Sequence, residues 1–268
     1  MKRMRTVLLG AVILVGLASA ASAANVAVYS NEYGPSVVPA PHTATSVSLA
    51  DIEGGALAGY DVLLIGHAAF DPGQWSATAC TAVATFLASG GGVVTEWNGL
   101  SFLFSALGGN IYYPMASPQC GYFAGTVDYG TPVGANTPID ILNPASPTMT
   151  GLSDPFAMAD GSEFIYTVSG YDPALWTVDA EYTGHGGTWP AVMWSGALGG
   201  LVVVGTTDYF DVLPGDANAT LLLGNMIEFA NTGAPQGNAI PALGGAGMAL
   251  LTALLALAGV AVLRAVRS

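Results

Sequence analysis

Between Arg5 and Arg264 the sequence contains no lysine and no arginine. All five basic residues lie at the ends: Lys2, Arg3 and Arg5 at one, Arg264 and Arg267 at the other. All eighteen Asp and Glu residues fall between them, so residues 24–231 carry a formal charge of −18, against −13 for the whole chain. Nucleic acid is excluded as a partner of that stretch, because no side chain there can neutralise phosphates. Anionic lipid surfaces repel it for the same reason. No Lys or Arg salt bridge can form inside it. Its carboxylates must therefore be solvated, capped by backbone N–H groups, or bound to metal.

Other absences narrow the chemistry. No acidic loop has the ligand spacing of a calcium site; Asp208-Tyr209-Phe210-Asp211 with Asp216 comes nearest. No metal site and no cofactor are expected, with calcium the one candidate that the acidic surface suggests. No glycine loop follows a strand to cradle phosphate, since Gly90 to Gly92 precede one. Cysteine is limited to Cys80 and Cys120. In an oxidising compartment these two would form a disulfide; the alternative is a pair of free buried thiols.

What is present begins at the ends. Lys2, Arg3 and Arg5 precede an apolar run from Val7 to Leu17 and the small-residue site Ala21-Ser22-Ala23. Those are the three parts of a secretory signal, expected to occupy residues 1–23 and to be cleaved after Ala23. Its apolar run is too short to span a bilayer. From Leu243 to Leu263 the chain is almost wholly apolar and ends on Arg264 and Arg267. This predicts a transmembrane helix with its basic end in the cytoplasm. The polar residues 232–239 between this segment and the domain read as a linker.

The last thirty residues resemble the IPTL-CTERM protein-sorting tail of Gram-negative bacteria. The likeness rests on Ile240, Pro241, Ala242 and Leu243, then Gly247, the apolar span and the basic finish. Ala242 stands where that tail usually has Thr, and Gly244-Gly245-Ala246 where it has a polar stretch with Trp. The resemblance implies an exosortase-like membrane protease as partner. It also implies an exported protein, held at the inner membrane before sorting and then in the envelope or outside the cell.

Residues 24–231 suit one domain. Asn25 to Ser30, Asp61 to Gly66, Val93 to Glu96 and Leu201 to Gly205 are continuous apolar runs, as expected of parallel strands covered on both faces. Ser46 to Leu49 alternates as a further strand, and Ile139 to Leu142 reads as an edge strand. Glu163 to Val168, Leu175 to Val178 and Ala191 to Trp194 also read as strands. Gln74 to Ser89 has helical spacing and stops at Gly90; a short helix is expected through Leu107, and a closing helix over Asn218 to Ala230 capped by Asn218. The alternation predicts an α/β fold with a mainly parallel sheet. Residues 111–167 are otherwise rich in turn residues and are the hardest part to place. His42, in a Pro-rich loop, is expected to be exposed, and the five tryptophans to be core or rim residues.

This order resembles the class I glutamine amidotransferase-like superfamily, including its ThuA-like members. The likeness is carried by Tyr60 to Gly66, by Val83 to Gly92 leading into Val93-Val94, by Trp189 to Val192, by Gly199 to Thr206 and by Asn225 to Phe229. It implies a flavodoxin-like three-layer sandwich. Catalytic members place a Cys on the sharp turn after the strand that here ends at Glu96. This chain has Glu96-Trp97-Asn98-Gly99 there, and no His-x-Glu pair follows; His185 lies among glycines. The thioester machinery is therefore missing, and no catalytic residue is expected.

In open parallel sheets ligands bind at the carboxyl ends of the strands. The candidate ligand-binding residues there are His67, Asp71, Glu96, Asn98 and Asp208. The expectation is a non-catalytic exported surface protein with a binding or matrix role. The alternative is an extracellular hydrolase acting on carbohydrate through those strand-end groups.

Overall fold

The computed structural model describes residues 23–30, 34–66, 75–108, 120–132, 137–158, 164–184, 189–206 and 215–232. The chain divides into two compact units, Met1–Gly233 and Ala234–Ser268. The second unit, with the sorting residues Ile240, Pro241, Ala242 and Leu243 and the expected span, lies outside the described residues, as does the signal segment 1–22. Among the described residues no helix is long and apolar enough to cross a membrane.

Eleven strands are described: β1 (Asn25–Tyr29), β2 (Thr43–Ser46), β3 (Val62–Ile65), β4 (Gly92–Thr95), β5 (Phe104–Leu107), β6 (Phe123–Pro132), β7 (Ile139–Ile141), β8 (Phe164–Ser169), β9 (Thr177–Tyr182), β10 (Pro190–Ser195) and β11 (Val202–Gly205). Three α-helices accompany them: α1 (Leu49–Glu53), α2 (Ala77–Ala88) and α3 (Ala217–Asn231). Eight strands form one sheet in the order β2-β1-β3-β4-β11-β10-β9-β7. The first five are parallel. Their order is the doubly wound 2-1-3-4-5 arrangement, with β11 in fifth place, and it reverses direction between β1 and β3. The remaining three pairings are antiparallel. Four of the seven pairings are thus parallel, and the sheet is mixed because β10, β9 and β7 extend its parallel half in antiparallel fashion.

Helices cover both faces of the parallel half. Ala27, Leu63, Ile65, Val93 and Val204 share one core with Ala79, Val83, Phe86 and Leu87 of α2. On the opposite face Val26, Val28, Val62, Leu64, Val94 and Val203 are equally buried. There α3 contacts β3, β4 and β11 and buries Leu222, Leu223, Met226 and Ile227. Burial on both sides is why these strands are uniformly apolar. A second, three-stranded sheet, β5-β6-β8, lies within residues 104–169.

Several local expectations give way to capping and pairing. The strand expected at Ser46 to Leu49 is β2, ending at Ser46, because Ser48 and Asp51 form a reciprocal capping box that starts α1. The helix expected through Leu107 is a 3-10 turn over Trp97–Phe102 followed by β5, whose Phe104 pairs with Phe123. The cap of α3 is Asp216, which accepts from Ala219 N at 2.9 Å. Asn218 instead donates to Ala157 O at 2.8 Å.

His42 is half-buried rather than exposed. Its Nδ1 accepts from Ala24 N at 3.1 Å. Burial pulls its pKa below the ordinary 6.5, against opposing influences from Glu228 and a hydrogen bond with the Gly224 backbone. A base whose folded pKa is depressed stabilises the fold above its unfolded pKa and loses that contribution as pH falls below it. Between about pH 7 and about pH 5, the wild type should lose more stability than His42→Asn, as read by urea unfolding of both at each pH.

Candidate functional site

At the carboxyl edge of the parallel strands, β1 ends in Tyr29-Ser30, β3 in Ile65-Gly66 and β4 in Thr95-Glu96. Glu96 is fully buried. Its backbone is pinned on both sides: Glu96 N donates to Ile65 O at 3.3 Å, and Gly99 N donates to Glu96 O at 2.8 Å. Gly66 leaves room for the side chains around it. A methyl group on its Cα would sit 3.3 Å from Ser30 Oγ and 3.5 Å from Glu96 Oε1. The hydroxyl of Ser30 and the carboxyl of Glu96 therefore face the same gap, at the point where the strand order reverses.

The turn after β4 is a tight elbow. Trp97 has φ +40°, a value rare for a bulky side chain, and its ring lies edge-on to Tyr166 with centroids 5.2 Å apart. Such strain is held only where the surroundings over-determine it. Here Gly99 is pressed onto the end of β3, and a methyl on its Cα would come within 2.4 Å of Ile65 O. Gly99→Ala should therefore displace the elbow and cost about 1–3 kcal/mol of stability, seen as a lower midpoint in urea unfolding. An unchanged midpoint would show that the elbow is loosely held.

Asn98 is also fully buried, and among the described residues its amide oxygen and nitrogen have no hydrogen-bond partner. The same is true of Thr95 Oγ1. Buried polar atoms left this way are uncommon and call for a reason, of which a ligand is one. Thr206, after β11, is engaged instead: its hydroxyl donates to Pro190 O at 2.6 Å. Beside Ser30 an open cleft of about 620 Å³ is lined by Tyr29, Ser46, Val47, Ser48, Leu49 and Asp51. The hydroxyl and backbone N–H of Ser48 hold the Asp51 carboxyl below the usual carboxylate range.

Of the five residues expected to bind ligand, Glu96 and Asn98 both belong to this elbow. His67, Asp71 and Asp208 lie outside the described residues, as does Asp211. Among the described residues no three His, Cys, Asp or Glu side chains come together as a metal site would require. Sequence reasoning missed Ser30 and Gly66, although each directly follows an apolar strand. Cys80 and Cys120 are bridged, with their Cα atoms 5.4 Å apart, so Cys80 is a structural residue of α2 and no nucleophile. Trp75, Trp97 and Trp176 are buried in aromatic clusters, whereas Trp189 and Trp194 are half-buried.

No family model matches the sequence, and no curated protein does. Solved structures do resemble it. A ThuA-like protein from Bacteroides uniformis superposes with a TM-score of 0.52 at 12% identity, over 77% of this chain and 90% of that one. Two cytoplasmic proteins from Salmonella typhimurium each superpose with a TM-score of 0.51 at 12% identity. Both cover 77% of this chain, with 98% of one and 99% of the other matched. At this identity the likeness is one of fold: the described domain shares the α/β architecture of that ThuA-like protein.

Proposed function

We propose that the protein is an exported, envelope-sorted bacterial surface protein whose amidotransferase-like domain binds a ligand without transforming it. One observation carries the non-catalytic reading. The elbow after β4, where catalytic members of the resembled superfamily hold a Cys, presents Trp97 in a strained conformation and is backed by the buried Glu96 and Asn98. A binding role is supported by the polar groups of Ser30, Glu96 and Asn98 near the switch point, the usual ligand position in such sheets.

The site offers hydroxyl, amide and carboxyl groups and no cationic side chain from the domain. Neutral polyhydroxylated ligands such as glycans suit that set, and so does a divalent cation such as calcium; anions do not. The tail anchors the protein in the inner membrane until an exosortase-like protease acts on it. Mass spectrometry of the protein from its native envelope tests this step, since sorting predicts a new carboxyl terminus near Pro241 and a simple anchor predicts intact residues beyond Ile240.

Glycan-array binding and calcium titration of the purified protein test the site. Glu96→Gln, Glu96→Ala and Asp208→Ala are expected to weaken binding about tenfold or more without any turnover in the wild type. Glycan turnover abolished by Glu96→Gln would instead favour a carbohydrate hydrolase. Binding unchanged in all three variants would remove the strand-end site.

A further inference from the structure

Exposure changes sharply between Ala23 and Ala24. Ala23 is exposed, whereas Ala24 is 1% exposed and bonded at both ends of its backbone. Its N donates to His42 Nδ1 at 3.1 Å, and its O accepts from Thr43 N at 2.9 Å, the rung that starts the pairing of β1 with β2. Asn25 is bonded as well: its N donates to Asp61 Oδ2 and its side chain to Gly59 O, each at 2.8 Å. The boundary between an exposed and a fully bonded residue coincides with the end of the Ala21-Ser22-Ala23 site. Lys2 is the only lysine in the chain, and it lies within the segment that cleavage would remove.

We propose that processing between Ala23 and Ala24 leaves the protein with a single primary amine, the α-amino group of Ala24, which the fold captures as a donor held on His42. This rests on the export reading above and extends it to what cleavage does to the fold. Before cleavage the atom facing His42 is an amide nitrogen with one hydrogen. Afterwards it is an amine that carries a positive charge when protonated, in a domain with eighteen carboxylates and no Lys or Arg. A hydrogen bond from a charged donor is roughly twice as strong as a neutral one. Burial favours the neutral imidazole, which keeps the Nδ1 lone pair available to accept it. His42 thereby ties the new terminus to the loop before β2 and, through Gly224 and Glu228, to α3.

The absence of other amines makes the test selective. The processed protein is purified from its native envelope, its amino terminus is read by mass spectrometry, and it is treated at mild alkaline pH with an amine-acylating reagent. The expected result is a chain starting at Ala24 whose one label enters about a hundredfold more slowly in the folded than in the urea-unfolded protein, the ratio being set by local opening. His42→Ala should remove most of that protection. His42→Asn, whose Oδ1 can occupy the place of Nδ1 as acceptor, should keep much of it. Acylation of the folded wild type at the unfolded rate would overturn the capture. A terminus at any residue other than Ala24 would overturn the proposal at its processing step, and neither result bears on ligand binding at Glu96 and Asn98.

Discussion

Asp179→Ala is expected to lower the stability of the domain by about 2–4 kcal/mol, equivalent to a fall in melting temperature of about 10 °C. Asp179 lies on β9 and is fully buried. Its Oδ2 accepts from Ser146 Oγ at 2.5 Å and from Thr148 Oγ1 at 2.6 Å, and its Oδ1 accepts from Asn143 Nδ2 at 3.0 Å. Its backbone O also receives Leu142 N and Asn143 N. One residue thus fixes the loop after β7, which α3 grips from its other side through Asn225 Nδ2 bound to Thr148 O and Thr150 O.

The size of the effect follows from what alanine leaves behind. Ser146 and Thr148 are themselves buried, and with the carboxyl gone their hydroxyls and the Asn143 amide lose their common acceptor. An unsatisfied buried donor costs about 1–3 kcal/mol. The two hydroxyls keep their mutual bond at 2.9 Å and the Asn143 amide is half-buried, so the cost falls mainly on the hydroxyl hydrogen left without an acceptor and on the space the carboxyl vacates. Asp179→Asn keeps the shape and one acceptor, and the hydroxyls can rotate to accept from the new amide; it should lose less than half as much. Thermal and urea unfolding of the two variants read the difference. If alanine shifts the midpoint by no more than asparagine does, the loop is held by its backbone bonds and the carboxyl is incidental. The sequence foresaw the general situation, a carboxylate with no Lys or Arg to pair with. It did not reveal that neutral side chains from a distant loop would supply the donors.

The same division runs through the fold. β1, β3, β4 and β11 were legible because burial on both faces demands apolar residues at every position, and that demand is written locally. The order in which they lie, and hence the meeting of Ser30, Gly66 and Glu96, is not local. Ser30 gains its place only because β1 pairs with β3 and β3 with β4. β5 was misread because its run of Phe and Leu fits a helix face as well as a strand, and only pairing with β6 decides between them. At Ser46 to Leu49 two local signals competed, and the capping box outweighed the alternation. Glu96 and Asn98 could be placed at the end of β4 beforehand, because the apolar run before them stops there. The strain at Trp97 could not, since nothing in the type of residue announces a positive φ.

Removing the Cys80–Cys120 bridge is the other large perturbation. It ties α2 to the residue three positions before β6, across 40 residues of sequence. Closing a loop of that length restricts the unfolded chain by about 4 kcal/mol in the chain-entropy model. The native contacts around it are specific. Cys120 N and Gly121 N both donate to Phe102 O at 3.0 Å, and the Tyr122 hydroxyl donates to Cys80 O. Burial pushes the Tyr122 hydroxyl pKa above its ordinary 10. Phe102 lies edge-on to Tyr122 and stacks on Trp75, which meets Tyr29 at the end of β1. The bridge therefore fastens the start of β6 to the aromatic core beside the strand-end site. The Cys80→Ala/Cys120→Ala double variant should unfold with its stability lowered by about 3–4 kcal/mol, and hydrogen exchange should accelerate first from Cys120 to Val127 rather than in β3 or β4. A loss below about 1 kcal/mol would mean that the hydrogen bonds to Phe102 and the stacked rings already confine this segment in the unfolded chain, where the bridge was expected to act.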